Sequence, residues 1–187
     1  VGSEMCIRDR TYFNGRAQPF QQLYTGLAGY EELQEGLAVL AEYLVGGLSR
    51  PRLRLLAGRV VAVRALVDGA TFIDTFRDLY RNYGFGQRTA FTITGRVYRS
   101  GGLTKDAVYL RGLVDVLSYL RNGGNLEPLF VGKIRADHIP IIRELQARQV
   151  LQPAPLRPRY MDYPQTAARL DKLRNGLTVL DLVERGK

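Results

Sequence analysis

The chain reads as a mainly α-helical protein, and two observations carry that reading. Apolar residues recur at mixed three- and four-residue spacing through six segments of helical length: residues 31–46, 53–67, 71–83, 87–98, 105–121 and 140–150. Between these segments fall the Gly and Pro pairs that stop helices. Residues 177–183 alone have the short apolar character of a strand, and the chain has neither an internal repeat nor a low-complexity tract.

The first segment carries Ala38, Val39, Ala41, Leu44, Val45 and Leu48 as the stripe of a helix packed on a core. Glu35 stands one turn before Ala38 and Val39 and shares their inward face. Two readings of Glu35 are open. It is either a solvated first-turn acid stabilised by the helix dipole, as Glu31 and Glu32 are expected to be, or a buried carboxylate that must be met by a cation or by several donors. Gly36 beside it leaves room for another backbone or a ligand to come close, at a cost of about 1 kcal/mol in helix propensity. In residues 71–83, Phe72, Phe76, Leu79, Tyr80 and Tyr83 form an aromatic stripe that is expected to be core.

Thr104 is placed to cap the next helix, with Asp106 complementing the dipole in its first turn. Leu110, Leu113, Val114, Leu117 and Leu120 form the predicted buried face of that helix, and Tyr109 lies on a neighbouring stripe. His138 precedes a helix whose first turn holds Pro140, so it reads as a capping or surface histidine and not a metal ligand. Residues 152–164 contain four prolines among basic and aromatic residues and read as an extended surface connection. A last helix is expected over residues 165–174, ended by Asn175-Gly176.

Lys and Arg number 27 against 18 Asp and Glu, a net charge of +9 that favours an acidic partner. The one cysteine, Cys6, lies in VGSEMCIRD, a stretch unlike the rest that reads as a translated sequencing adapter. Residues 1–10 are therefore taken as an adapter-derived artefact, and residues 11–187 as the native part. That part has no cysteine, so it has no disulfide framework, which fits a cytoplasmic setting. No run of 18 apolar residues is present, and a membrane partner is not expected.

Gln34-Glu35-Gly36-Leu37-Ala38, running on to Tyr43, resembles the bacterial flavohemoglobin expression-modulating QEGLA motif proteins. Their animal relatives, the microtubule-associated tyrosine carboxypeptidases, carry EEGLA at the same place, and gluzincin aminopeptidases have a similar NEGFA-type segment. Further matches fall at Gly101-Gly102-Leu103-Thr104-Lys105-Asp106, Val108-Tyr109-Leu110, Gly112 and Gly132-Lys133, so the similarity spans nearly everything from Thr11 onward. The resemblance implies a zincin-like, gluzincin-type metallopeptidase domain in which Glu35 is the third zinc ligand. It also implies an HExxxH segment just before Thr11-Tyr12-Phe13-Asn14-Gly15, supplying two His ligands and the catalytic Glu. The chain contains one histidine, His138, and no such segment. Residues 11–187 are thus expected to be the C-terminal part of one metallocarboxypeptidase-like domain whose HExxxH part is missing. Zinc would belong to the full-length parent, and the chain itself is expected to be inactive.

On the same resemblance the parent would hydrolyse C-terminal peptide bonds, releasing a terminal aromatic residue from a peptide or protein tail, acidic to suit the charge. A terminal carboxylate calls for an arginine fork, and Arg96, Arg99 and Lys105 are the candidates. For the two arginines a C-terminal dipole role is the competing reading, and for Lys105 a solvated first-turn position. Tyr109 is the candidate donor to the oxyanion, with core packing as its alternative. A different class of function, a noncatalytic basic helical module binding nucleic acid or regulating expression, would need its charges on one face. The arginines are instead scattered, with local clusters at residues 50–54 and 157–159, so nucleic acid is not the expected partner. A third reading is a full-length pseudoenzyme with a degenerate zinc site.

Overall fold

A computed structural model describes residues 3–99 and 103–183, the side chains of residues 3–6, 103 and 104 excepted. The described residues are mainly helical and contain no strand. They divide into two compact units, one made of Val1–Leu48 with Arg111–Lys187, the other of Ser49–Leu110.

The first unit opens with α1 (Ser3–Arg16), a helix absent from the sequence reading because half of it lies in residues 1–10. Ile7, Thr11 and Asn14 are buried along one stripe of α1, and Gln18 continues that stripe just past its end. A single turn, α2 (Gln22–Thr25), leads to α3 (Tyr30–Leu44), in which every residue from Leu33 to Ala41 is buried. A helix covered on all sides belongs to the centre of its unit. Leu37, Leu40 and Leu44 are sealed from solvent in this unit, as are Leu113, Leu117, Leu120, Leu129 and Phe130.

The second unit is built on α4 (Arg50–Val67), α5 (Phe72–Arg81) and α6 (Gln87–Tyr98). The α4 helix starts three residues before the predicted 53 because Ser49 accepts a hydrogen bond from the Arg52 amide at 3.3 Å and Pro51 fits the first turn. A reciprocal capping box between Thr71 and Asp74 starts α5. Ala62, Leu79, Phe85, Ala90, Ile93 and Val97 form the buried cluster, with Phe76 and Tyr98 packed against it. The aromatic stripe is core only in part: Leu79 is sealed and Phe72 and Phe76 are half-buried, whereas Tyr80 and Tyr83 are exposed. Phe91 joins its exposed side, stacked edge-on against Phe72 at 5.6 Å.

Helix α7 (Leu103–Arg121) gives its residues up to Leu110 to this unit and those from Arg111 to the first. The motif residues Gly101 and Gly102, and the Thr104 side chain expected to cap α7, lie outside the described residues. Of the predicted face of α7, Leu113, Leu117 and Leu120 are buried, whereas Val114 is exposed and Val116 is buried in addition. Then come α8 (Ile139–Ala147), begun by Pro140, and α9 (Pro164–Arg174). The strand predicted over 177–183 is instead a 3-10 turn, Val179–Leu182. Thr178 and Asp181 form a capping box there, and that local bonding curls the backbone while Leu182 is buried.

Candidate functional site

Glu35 is buried to 1% exposure on α3, which removes the solvated first-turn reading. Its carboxylate accepts a hydrogen bond from the Arg8 guanidinium of α1, and Arg8 is itself 40% exposed. An ionised carboxylate in such a place is stable only when a cation or several donors meet it, and here a cation does. Beside it Gln34 is equally buried, and its Oε1 accepts from the Thr11 hydroxyl at 2.8 Å. The first two letters of the QEGLA motif are thus both turned toward α1.

The third letter sets a helix crossing. A Cβ on Gly36 would fall on the backbone of Gly112 and Leu113, and one on Gly112 would fall on the Glu32 carbonyl. The α3 and α7 backbones therefore touch through two glycines, and Arg111 pairs with Glu32 beside the contact. The motif pair Gly132-Lys133 has a comparable use: the Lys133 amide donates to the Leu23 carbonyl at 2.7 Å, and a side chain on Gly132 would block that approach. The Lys133 ammonium lies 5.3 Å from the Tyr12 ring centroid and 5.6 Å from that of Tyr30.

The substrate-side candidates all belong to the second unit. Arg96, on α6, donates from Nε to both oxygens of Asp106 at 2.7 and 3.0 Å, and Asp106 is fully buried. Arg59 of α4 faces the same carboxylate at 3.7 Å. Burial pushes the Arg59 guanidinium below its ordinary pKa, and the positive charge of Arg96 adds to that. Tyr109 is buried at 4% exposure and acts electrostatically on Arg59. The structure thus gathers Arg96 and Tyr109 around a group that includes Arg59 and Asp106. Arg99, at the C-cap of α6, and Lys105 are exposed.

The family model described as microtubule-associated tyrosine carboxypeptidase matches residues 4–178, nearly the whole chain. The chain belongs to this family. No curated protein and no solved structure gives a match. The microtubule-associated tyrosine carboxypeptidase match takes in residues 4–10, the larger part of the stretch that the sequence reading set aside. At the level of the family the chain is carboxypeptidase-like.

Whether this member of the tyrosine carboxypeptidase family could hold the zinc of the resemblance is decided by its donor set. Among the described residues no group of three or more His, Cys, Asp or Glu side chains comes together. His138 spends its Nδ1 on the Arg135 amide at 3.3 Å, and Glu35 is engaged by Arg8. One carboxylate does not make a tetrahedral site, so the described residues do not fit zinc.

Several residues of the site region were missed by sequence reasoning. Asn14 donates from Nδ2 to the carbonyls of Phe130 and Leu156 at 2.8 and 3.0 Å and accepts from the Leu156 amide at 2.8 Å. Gln18 exchanges two hydrogen bonds with Gln152 at 3.1 and 3.0 Å. These amides tie the proline-rich connection to α1, and it forms one wall of a cleft of about 650 Å³ lined also by Glu127, Phe130 and Arg143. No spacing rule marks such long-range partners. Arg59 did have a signal, since it follows Arg52 by seven residues on one face of α4. Among the described residues no helix is long and apolar enough to cross a membrane.

Proposed function

We propose that the chain carries part of the scaffold of a gluzincin-type zinc carboxypeptidase, with Glu35 as the acidic metal ligand in the full-length parent. The observation that supports it is the Glu35 carboxylate, taken out of water at the start of α3 and aimed at a cation on α1. That helix contains Thr11-Tyr12-Phe13-Asn14-Gly15, the segment before which the resemblance sets the two histidines and the catalytic Glu. Here Arg8 meets the carboxylate with positive charge. A guanidinium neutralises Glu35 but offers no site for water or a scissile carbonyl, so the chain as it stands is read as inactive.

The substrate of the parent is proposed to be a peptide or protein C-terminal tail in the cytoplasm, acidic to suit the charge of +9, with a terminal aromatic residue released. Arg96, Arg99 and Lys105 are assigned to its carboxylate and Tyr109 to the developing oxyanion.

The test restores an HExxxH segment before Thr11 and measures zinc content by mass spectrometry and release of the terminal residue from a peptide. Bound zinc with hydrolysis is the expected result, and Glu35→Gln should weaken zinc binding by about a hundredfold or more. A restored chain that binds zinc equally well with Glu35→Gln overturns the assignment. In the active protein Arg99→Ala should raise KM for free-acid peptides with little change for amidated ones, and an unchanged KM removes Arg99 from the carboxylate role.

A further inference from the structure

We propose that Arg59 and Arg96, set around Asp106 in the second unit, form a binding site for a carboxylate group of a ligand. Two guanidiniums share one fully buried carboxylate, so the group carries one positive charge more than it can neutralise. Arg96 commits only its Nε to Asp106, and its side chain is 42% exposed, which leaves both terminal nitrogens to face a ligand.

Arg59 is the more telling member. Its side chain is only 17% exposed, and its one ionic contact is the long one to Asp106. Among the described residues its guanidinium makes no hydrogen bond, and none of its nitrogens is both sealed from solvent and unpaired. Guanidiniums taken this far out of water ordinarily have their donors filled. Arg59 has instead a fork of donors that solvent reaches and that, among the described residues, no group fills.

Arg52 adds to the positive field on Arg59, and burial together with Arg96 already holds its pKa down. An arriving anion offsets the positive field of Arg96 and Arg52 on Arg59. A carboxylate is the matching shape, because two parallel N–H donors meet its two oxygens in one plane. Its source is either a free organic acid or the terminal carboxylate of a peptide. The second source rests on the carboxypeptidase reading; carboxylate binding itself does not.

The experiment follows the arginine Nε–H resonances of the 15N-labelled full chain during titration with acetate. Parallel titrations use inorganic phosphate and one peptide as free acid and as amide. The expected result is saturable movement of the Arg59 and Arg96 resonances with acetate and the free-acid peptide. Arg59→Met should weaken the effect by about tenfold or more, while Arg64→Met, which removes the exposed pair with Asp68, leaves it intact. Far-UV dichroism checks that the variants are folded, and Arg59→Lys, which keeps the charge and loses the fork, should weaken acetate measurably. A linear, unsaturable response, or saturation by phosphate with acetate silent, overturns the proposal. Acetate binding without preference for the free-acid peptide upholds the site and detaches it from the peptidase reading. Failure to hydrolyse peptides leaves the titration untouched.

Discussion

Glu35 shows what a single buried charge demands of its neighbours. Arg8→Ala should destabilise the chain by about 2–3 kcal/mol, below the range for a fully buried pair because Arg8 is 40% exposed. Glu35→Gln should cost less, and the double variant should fall short of the sum, all read from urea unfolding midpoints. The inward face of Glu35 was legible in the apolar residues that follow it, but its cation was not, since Arg8 sits in the stretch set apart by composition. At the start of α5 the hydroxyl and amide of Thr71 hold the exposed Asp74 carboxyl below the usual carboxylate range. A depressed folded value means that its stabilisation is complete above the unfolded value of about 3.9 and is lost as pH falls through the folded one. The unfolding midpoints of wild type and Asp74→Ala should therefore differ near neutrality and converge in strong acid.

Among the elements, the α3–α7 crossing and the interior of α6 give opposite expectations for one substitution. At Gly112 an added methyl meets the rigid Glu32 carbonyl, so Gly112→Ala should cost about 3 kcal/mol. At Gly95, where nothing among the described residues lies within 4 Å of the added atom, Gly95→Ala should stabilise by about 0.5–1 kcal/mol, and thermal unfolding separates the two cases. The same crossing explains the one residue misplaced on the buried face of α7, Val114. Hydrophobic periodicity gives a glycine no weight, yet Gly112 is where α3 presses closest, and the buried side follows it toward Val116 and away from Val114. Helices with long apolar stripes were readable to within a few residues. The 177–183 stretch was not, because a Thr178–Asp181 box outweighs strand propensity in a short apolar run. Tyr80 and Tyr83 ended exposed because α5 offers the small three-helix core one narrow side, centred on Thr75 and Leu79.

Across the whole molecule the two units differ in how their contacts lie along the chain. Ser49–Leu110 is contiguous, with its own buried cluster and its own capped helices. Expressed alone it should give helical dichroism and a cooperative melt, with a stability of no more than about 3–5 kcal/mol. The other unit joins distant segments through Asn14 and Gln18, a topology that no local pattern announces and that slows folding. Asn14 also stands directly before Gly15, and Asn122 and Asn175 likewise precede glycines. Asparagine before glycine is the pairing most open to deamidation, in which the following backbone nitrogen attacks the side-chain amide. Asn122 and Asn175 are exposed at helix ends and age freely, whereas Asn14 is sealed in a helix with both amide atoms engaged. Each opening of α1 exposes it to a change that the loss of ammonia makes irreversible, and the aspartate formed has no N–H for the carbonyls of Phe130 and Leu156. The pace at which Asn14 converts, set against the other two, is a built-in record of how often the molecule comes apart.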